Sequence, residues 1–217
     1  MKIACVGYRA WAIDIYQNLK GELPEHEFLL QLSEPDFCEL DIAAFKPDLL
    51  LFYGWSKIIP DNLVTKYNCL MLHPSPLPKY RGGSPLQNQI IRGETKSAVT
   101  IFLMDEGIDT GPIAKQKELD LSDTLNDIFE RISVIGLQLT LEIICEGLSV
   151  HEQNEEQATY FNRRKPHESE ISIDELTNQS SLYLYNKIRM LQDPYPNPFI
   201  KTIDGKKIVI KCAVIES

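Results

Sequence analysis

The sequence predicts an α/β protein with a doubly wound, Rossmann-like, mostly parallel sheet and a small C-terminal α+β extension. Apolar, strand-like runs alternate with helix-like segments from the first residues onward. Residues 48–54 contain a continuously apolar run, which is typical of a central parallel strand covered on both faces. After Gly147 the composition becomes polar, so we expect a main domain over residues 1–150 and a short extension over residues 151–217 packed on it.

Length and charge limit the classes of function. The chain has 217 residues, 43% of them hydrophobic and 24% charged, as in an ordinary globular protein of one domain with a modest appendage. Its 22 Lys and Arg against 31 Asp and Glu give a net charge of -9. Such a charge disfavours binding to polyanions, so the expected partners do not include nucleic acid.

The cysteines and histidines indicate neither a disulfide framework nor a metal site. The five cysteines are odd in number, widely spread and never in a CxxC pair, which fits a reducing cytosol. The four histidines lack ligand spacing, so no metal is expected. The N-terminal apolar run is too short for a signal peptide, and no window is long and apolar enough for a membrane span. We therefore expect a cytoplasmic protein without a membrane partner.

The first elements are a strand at residues 3–6, a turn at Gly7 and a helix with apolar positions at Ile13, Tyr16 and Leu19. The turn lacks GxGxxG, which disfavours the competing class, a Rossmann-like oxidoreductase or other nucleotide-binding module. Arg9 in this turn is either a solvated loop residue or a ligand for a substrate phosphate at the helix start.

A second strand is predicted at residues 28–32 and a third at residues 48–53, followed by a loop that carries Trp55, Ile58 and Ile59. Apolar residues in a loop need a reason. Either the loop packs back on the core, or it forms a wall for a flat heterocyclic ligand. A short helix at residues 61–67 leads to the next strand.

Two turn-rich loops follow apolar strands and define the predicted site. One strand ends at His73 and leads into a loop stiffened by prolines at positions 74, 76 and 78, then a helix at residues 85–92. The other ends at Leu103 and leads to Asp109 between two glycines. We expect both loops to leave the carboxyl ends of their strands side by side, which would bring His73 and Asp109 within hydrogen-bonding reach.

A histidine paired with a carboxylate suits proton donation to developing negative charge, as acyl transfer requires. A lone histidine after a strand is more often structural, and Asp109 can equally be a turn residue bonded to its own backbone. Ser75 lies between prolines without a GxSxG elbow, so a covalent triad is weakly supported.

The remaining elements are interpreted as structural. A strand at residues 113–121 precedes a long helix, capped by Ser122 or Asp123, with apolar residues at spacings of three and four. Arg163 and Arg164 are interpreted as joining the extension to the main domain. A helix at residues 182–191 and a hairpin that turns at residues 204–205 complete the chain.

The segment at residues 72–82, Leu-His-Pro-Ser-Pro-Leu-Pro-Lys-Tyr-Arg-Gly, resembles the Asn-x-His-x-Ser-x-Leu-Pro-x-Tyr-Arg-Gly motif of the folate-dependent formyltransferases. Residues 105–111, Asp-Glu-Gly-Ile-Asp-Thr-Gly, resemble that family's aspartate loop. The similarity extends to residues 52–60, like the loop that holds the pterin, and to residues 186–196. It therefore spans most of the chain.

The resemblance implies an N-formyltransferase that uses N10-formyltetrahydrofolate and no metal. His73 would hydrogen-bond or protonate the oxyanion, and Asp109 would hold His73 and help to relay a proton. Met71 stands at the position of the family's asparagine, and a thioether donates no hydrogen bond. The implied folate contacts are Trp55, Lys57, Ile58, Ile59, Asp105, Gly107 and Ile108.

The expected acceptor is the amine of a nucleotide-linked 4-amino-4,6-dideoxy sugar, with a weak preference for a UDP-linked sugar of the pseudaminic acid type, used in surface glycan biosynthesis. Its contacts would include Arg9, Ser75, Lys79, Arg81 and Gln87. The net charge and the short extension, where initiator-tRNA enzymes carry a full basic domain, disfavour tRNA. Another small amine, or a noncatalytic folate or nucleotide-sugar binding protein, are the alternatives, and a homodimer stays open.

Overall fold

A computed structural model describes residues 1–216. The described residues contain ten strands: β1 Lys2–Val6, β2 Glu27–Gln31, β3 Leu49–Tyr53, β4 Cys69–His73, β5 Arg81–Gly82, β6 Lys96–Leu103, β7 Ile113–Asp120, β8 Tyr160–Phe161, β9 Phe199–Lys201 and β10 Lys207–Val209. Seven α-helices accompany them: α1 Ala10–Glu22, α2 Glu39–Phe45, α3 Asp61–Lys66, α4 Pro85–Ile90, α5 Leu125–Glu146, α6 Ile173–Asn178 and α7 Ser181–Arg189.

The central sheet has six strands in the order β2-β1-β3-β4-β6-β7. Strands β1 to β4 pair in parallel, whereas β6 is antiparallel to β4, and β7 is antiparallel to β6. The predicted fold class, a doubly wound and mostly parallel sheet with a small C-terminal extension, is confirmed. The antiparallel β6 has a consequence for the site, because it points the carboxyl ends of β4 and β6 in opposite directions.

The apolar run in β3 is explained by helices on both faces of the sheet. Leu49, Leu51 and Tyr53 face a core shared with α1 and α5, and Leu50 and Phe52 face a second core that includes residues of α2 and α3. Because side chains alternate along a strand, a strand covered on both faces must be apolar at every position.

The N-cap of the long helix α5 lies one or two residues after the predicted positions, Ser122 and Asp123. Its N-cap is Thr124, whose hydroxyl accepts from the backbone N–H of Asp127 while the Asp127 carboxylate accepts from the Thr124 N–H. This reciprocal arrangement satisfies two free amide groups at the helix start, which Ser122 and Asp123 cannot do from their positions.

Residues after 150 form small elements that pack on the sheet domain. His151 exchanges two backbone hydrogen bonds with Ile113, of 2.8 and 3.0 Å, and β8 pairs in parallel with β5. The antiparallel pair β9 and β10 and the helices α6 and α7 complete this region. A domain division at residue 150 stays a prediction. Among residues 1–216, no helix combines the length and apolar composition needed to cross a bilayer.

Candidate active site

An open cavity of about 740 Å³ lies where the chain leaves the carboxyl ends of β1, β3 and β4. Ligands in open α/β sheets bind at this edge. Six residues predicted for the site line it, namely Arg9, Trp55, Met71, His73, Gln87 and Asp109. Their roles stay predictions, but the structure places them around one space.

His73, the last residue of β4, is 6% exposed, and both of its ring nitrogens face oxygen atoms. Nε2 lies 2.9 Å from the carbonyl oxygen of Tyr80, and Nδ1 lies 3.5 Å from Oδ2 of Asp109. A carbonyl oxygen only accepts, so Nε2 carries a proton. The 3.5 Å separation is longer than a good hydrogen bond, and catalytic contacts of this kind commonly shorten when substrate binds.

Asp109 reaches His73 by a route that differs from the predicted one. Because β6 is antiparallel to β4, Leu103 at the end of β6 pairs with Leu70, and His73 pairs with Thr100. The loop that follows β6 therefore starts near the amino end of β4, and it must turn back along the sheet to reach His73. The expectation that both loops leave adjacent carboxyl ends is wrong, whereas the expected proximity of His73 and Asp109 is observed.

Asp109 is fixed in this position by its neighbours. Its backbone is in the left-handed region at φ 56°, and its Oδ2 accepts a 2.8 Å hydrogen bond from the Gly82 N–H. Tyr80 and Ser84 beside the site also have positive φ, at 61° and 53°. Such conformations cost about 1 kcal/mol or more each for residues other than glycine and cluster at functional sites. The surrounding contacts must hold them.

We call Arg81, Gln153, Glu155 and Tyr160 the arginine brace. Arg81 is fully buried and donates to Oε1 of Gln153 at 2.8 and 3.1 Å and to the Glu155 carboxylate at 2.6 and 2.9 Å. It also donates to the Tyr160 hydroxyl. The hydrogen bonds to Glu155 raise the pKa of Arg81 above its ordinary value, and those from Arg81 lower the pKa of Glu155.

The brace continues to the aspartate loop. Nε2 of Gln153 donates to the backbone oxygens of Asp109 at 3.0 Å and Gly111 at 2.7 Å. Arg81 therefore does not reach the cavity as a substrate cation, contrary to the expectation from sequence. It is an internal support that connects the loop after His73, the loop that carries Asp109 and the chain after residue 150.

The other predicted substrate and folate contacts do not line the cavity. Ser75 is buried, its hydroxyl donates to the Lys79 carbonyl, and Lys79 itself is exposed. Asp105 accepts from the Gly107 N–H and the Thr110 hydroxyl within its own turn, and Ile108 is 69% exposed. Three residues of the loop after β3 also lie outside: Lys57 pairs with Glu34 at 3.3 Å, Ile58 is 97% exposed, and Ile59 is buried in the core.

Four cationic residues line the cavity, and we call them the cationic rim: Arg9, Arg163, Arg164 and Lys165. Arg9 lies over the rings of Tyr8 and Tyr195, 5.5 and 5.4 Å from their centroids. Arg164 is 3.9 Å from Glu168, and within residues 1–216 the other three form no salt bridge. The charges of Arg9, Arg163 and Lys165 are therefore available to an anionic ligand.

The interpretation of Arg163 and Arg164 as structural missed this placement. The pairing of β8 with β5 carries residues 163–165 to the cavity, where Gly83 lies against the Arg163 backbone so closely that a Cβ would come within 2.4 Å. The three consecutive basic residues were the available signal. In the part of the chain that the structure covers, no group of His, Cys, Asp and Glu has the arrangement of a metal site.

Comparison with known proteins identifies the family. The Formyl transferase family model matches residues 31–144, just over half of the chain. The methionyl-tRNA formyltransferase of Thermodesulfovibrio yellowstonii is 32% identical over 199 residues, which cover 86% of this chain and 63% of that relative. The chain thus spans somewhat less than two thirds of that relative's length.

Solved structures agree. Methionyl-tRNA formyltransferase from Clostridium thermocellum superposes with a TM-score of 0.87 at 32% identity and covers 97% of both chains. A 4-N formyltransferase from Francisella tularensis has a TM-score of 0.78 at 19% identity, over 100% of this chain and 98% of that one, a likeness that shows the fold alone.

These comparisons correct two expectations. The prediction of a nucleotide-linked amino sugar as acceptor is wrong, because the curated relatives at 31–34% identity are methionyl-tRNA formyltransferases. The exclusion of nucleic acid is wrong for the same reason. Net charge is a sum over the whole chain, whereas phosphate binding depends on local groups of cations. The expectation of an enzyme with formyl transfer chemistry is confirmed, and the chain belongs to the formyl transferase family.

Proposed function

We propose that this chain transfers a formyl group from N10-formyltetrahydrofolate to the α-amine of methionyl-tRNA. The observation that carries the proposal is the pair of His73 and Asp109 at the wall of an open cavity of about 740 Å³. Formyl transfer joins the acceptor nitrogen to the formyl carbon and breaks the bond from that carbon to N10. The proton that the amine loses is delivered to N10, so the reaction balances without an oxidant or a metal.

The cavity has features suited to the folate. Trp55 lies in its wall, packed against Tyr8 and Phe37 at centroid distances of 5.4 and 5.1 Å. Its indole N–H is buried and has no hydrogen-bond partner among residues 1–216. A flat heterocycle can stack on such an aromatic surface, or it can meet the indole N–H with an acceptor on its edge.

The His73 and Asp109 pair supplies the proton chemistry. Oδ2 of Asp109 is held by Gly82 and lies near Nδ1 of His73, so the carboxylate can accept the amine proton directly or through water. Nε2 of His73 donates to the backbone oxygen of Tyr80, and Nδ1 faces the carboxylate of Asp109. During transfer the Nε2 proton can pass to N10 as the bond from N10 to the formyl carbon breaks.

The cationic rim supports a nucleic-acid acceptor. Arg9, Arg163 and Lys165 line the cavity, have no carboxylate partner within residues 1–216 and can pair with the phosphates of a tRNA acceptor end. The identity of the relatives supports methionyl-tRNA over other acceptors.

The test is incubation of purified protein with N10-formyltetrahydrofolate and methionyl-tRNA, followed by release of the amino acid and mass spectrometry. We expect a mass gain of one formyl group on methionine. His73→Ala and Asp109→Asn should each lower kcat by about a hundredfold or more, because both remove proton transfer groups.

Asp109→Asn is the better matched variant, since an amide oxygen can still accept from Gly82. Circular dichroism and thermal melting should show a native fold in both variants. If methionyl-tRNA gains no formyl group while the folded wild-type protein binds N10-formyltetrahydrofolate, the proposed acceptor is wrong. If His73→Ala retains the wild-type rate, the catalytic assignment is wrong.

A further inference from the structure

We propose that the side-chain amide of Gln87 donates the hydrogen bond that holds the formyl oxygen of the substrate during transfer. This inference deepens the proposed function and rests on it. Gln87 lies on α4, is 2% exposed and lines the same cavity as Met71, His73 and Asp109.

Gln87 is the first of three consecutive residues with amide side chains on α4, and it differs from the other two. Asn88 donates to the Gly83 carbonyl at 2.8 Å and accepts from Arg92 at 3.2 Å. Gln89 donates to the carbonyls of Pro74 and Pro85, at 2.9 and 3.0 Å, and accepts from the Ser97 hydroxyl at 2.6 Å. Both side chains are committed to the fold.

Gln87 is different because its amide nitrogen, although buried, has no hydrogen-bond partner within residues 1–216. A buried donor without an acceptor costs free energy, and folded proteins rarely keep one without a use for it. An acceptor on a ligand in the cavity would offset this cost. The neighbouring amides show that this helix can satisfy such groups internally.

Met71 and Asp109, which line the same cavity, offer no side-chain donor. Met71 precedes His73 by two positions on β4, so both side chains project from the same face of the strand towards the cavity. The thioether of Met71 cannot donate a hydrogen bond. His73 donates to the Tyr80 carbonyl, faces Asp109 and is assigned to proton transfer to N10. The Trp55 N–H, also a neutral donor at this cavity without a partner within residues 1–216, is assigned to the folate ring, which leaves the Gln87 amide to hold the formyl oxygen.

The chemistry fits such a donor. When the amine attacks, the formyl oxygen gains negative charge, and an amide N–H directed at it is worth more in the tetrahedral state than in the bound substrate. A donor of this kind raises kcat more than it lowers KM.

The experiment compares Gln87→Met, which has similar length and no donor, and Gln87→Glu, which has the same shape but accepts only, with wild-type protein. We expect kcat to fall about a hundredfold in Gln87→Met and further in Gln87→Glu, where a carboxylate would face the developing oxyanion. KM for methionyl-tRNA should change by less than about threefold. The melting temperature of Gln87→Met should equal or exceed that of the wild type, since no internal hydrogen bond is lost.

Gln89→Met is the matched control on the same helix. It loses three internal hydrogen bonds and should lower the melting temperature, the opposite of the effect at Gln87. A kcat in Gln87→Met within about threefold of wild type would overturn the proposal. A rise in KM for methionyl-tRNA with unchanged kcat would also overturn it, because it would assign Gln87 to acceptor binding.

A second measurement is independent of turnover. Calorimetry gives the ratio of the dissociation constants of tetrahydrofolate and N10-formyltetrahydrofolate for each protein. We expect the formyl group to strengthen binding by about two- to tenfold more in the wild type than in Gln87→Met. If methionyl-tRNA is not formylated, the proposed function fails and this ratio decides the role of Gln87, with equal ratios in both proteins overturning it.

Discussion

Arg81 and Arg9 both follow apolar strands of the same sheet, and their surroundings in sequence predict the same role as cations for a substrate. The structure separates them. Arg81 is fully buried and donates to Gln153, Glu155 and Tyr160, whereas Arg9 lies at the cavity between the rings of Tyr8 and Tyr195. The difference teaches that an arginine is available to a ligand only when the fold gives it no internal carboxylate.

The largest change in the free energy of unfolding is expected for a substitution of Arg81, the internally bonded arginine. Arg81→Met should lower the free energy of unfolding by about 3 kcal/mol or more, because the buried oxygen of Gln153 loses its donors and Glu155 loses its partner. Urea denaturation measures this change. Arg81→Lys keeps the charge but not the paired donors, so it should be intermediate. A stability equal to wild type in Arg81→Met would show that the brace carries little of the fold.

Gln153 tests whether the brace positions the catalytic loop. Gln153→Leu should lower stability by about 2 kcal/mol, because it removes two hydrogen bonds to the aspartate loop and the acceptor of Arg81. Displacement of Asp109 should also lower kcat by roughly ten- to a hundredfold while KM changes little. Steady-state kinetics on folded protein measures it, with Gln153→Glu, which keeps the acceptor for Arg81, as the matched variant. Unchanged kcat in both would confine Gln153 to stability.

A smaller effect is expected at Arg9. Arg9→Ala should raise KM for methionyl-tRNA by a few-fold and reduce the salt dependence of binding by about one unit of slope, because one phosphate contact is lost. Stability should change by less than about 0.5 kcal/mol, as for a residue outside the core. Titration at several salt concentrations measures the slope, with Lys57→Ala as a control because Lys57 pairs with Glu34 outside the cavity. An unchanged slope would remove Arg9 from the acceptor site.

The smallest effect concerns pH. Arg81 lowers the pKa of Glu155 below its ordinary value, so the unfolded chain binds this proton more readily than the folded chain. The stabilisation is therefore present above about pH 4.3, the ordinary value for a glutamate, and is lost as pH falls through the lower pKa of the folded state. We expect the free energy of unfolding, measured from pH 7 to pH 3, to differ between wild type and Glu155→Gln, and this difference should become smaller at acid pH. If the difference in free energy of unfolding did not depend on pH, the effect of Glu155 would come from hydrogen bonding rather than from its charge.

Much of the fold follows from local patterns. The apolar run of β3 and the three- and four-residue spacing in α5 reflect burial against known neighbours, and side-chain periodicity is a property of each element alone. The direction of β6 is not such a property, because an antiparallel strand can have the same composition as a parallel one. For that reason the sequence indicated that Asp109 and His73 lie close together, but it did not indicate the path of the loop after β6 that carries Asp109.

For this protein, the sequence by itself determined the α/β class, the formyl transferase resemblance and the two loops that carry His73 and Asp109, since these depend on residue types at short spacings. Only the tertiary structure decided which polar residues are free. Arg81 is bound internally, residues 163–165 reach the cavity, and Gln87 differs from Gln89, because partners come from distant parts of the chain. Hydrogen bonding and charge pairing depend on distance in space, and that distance is set by the packed fold.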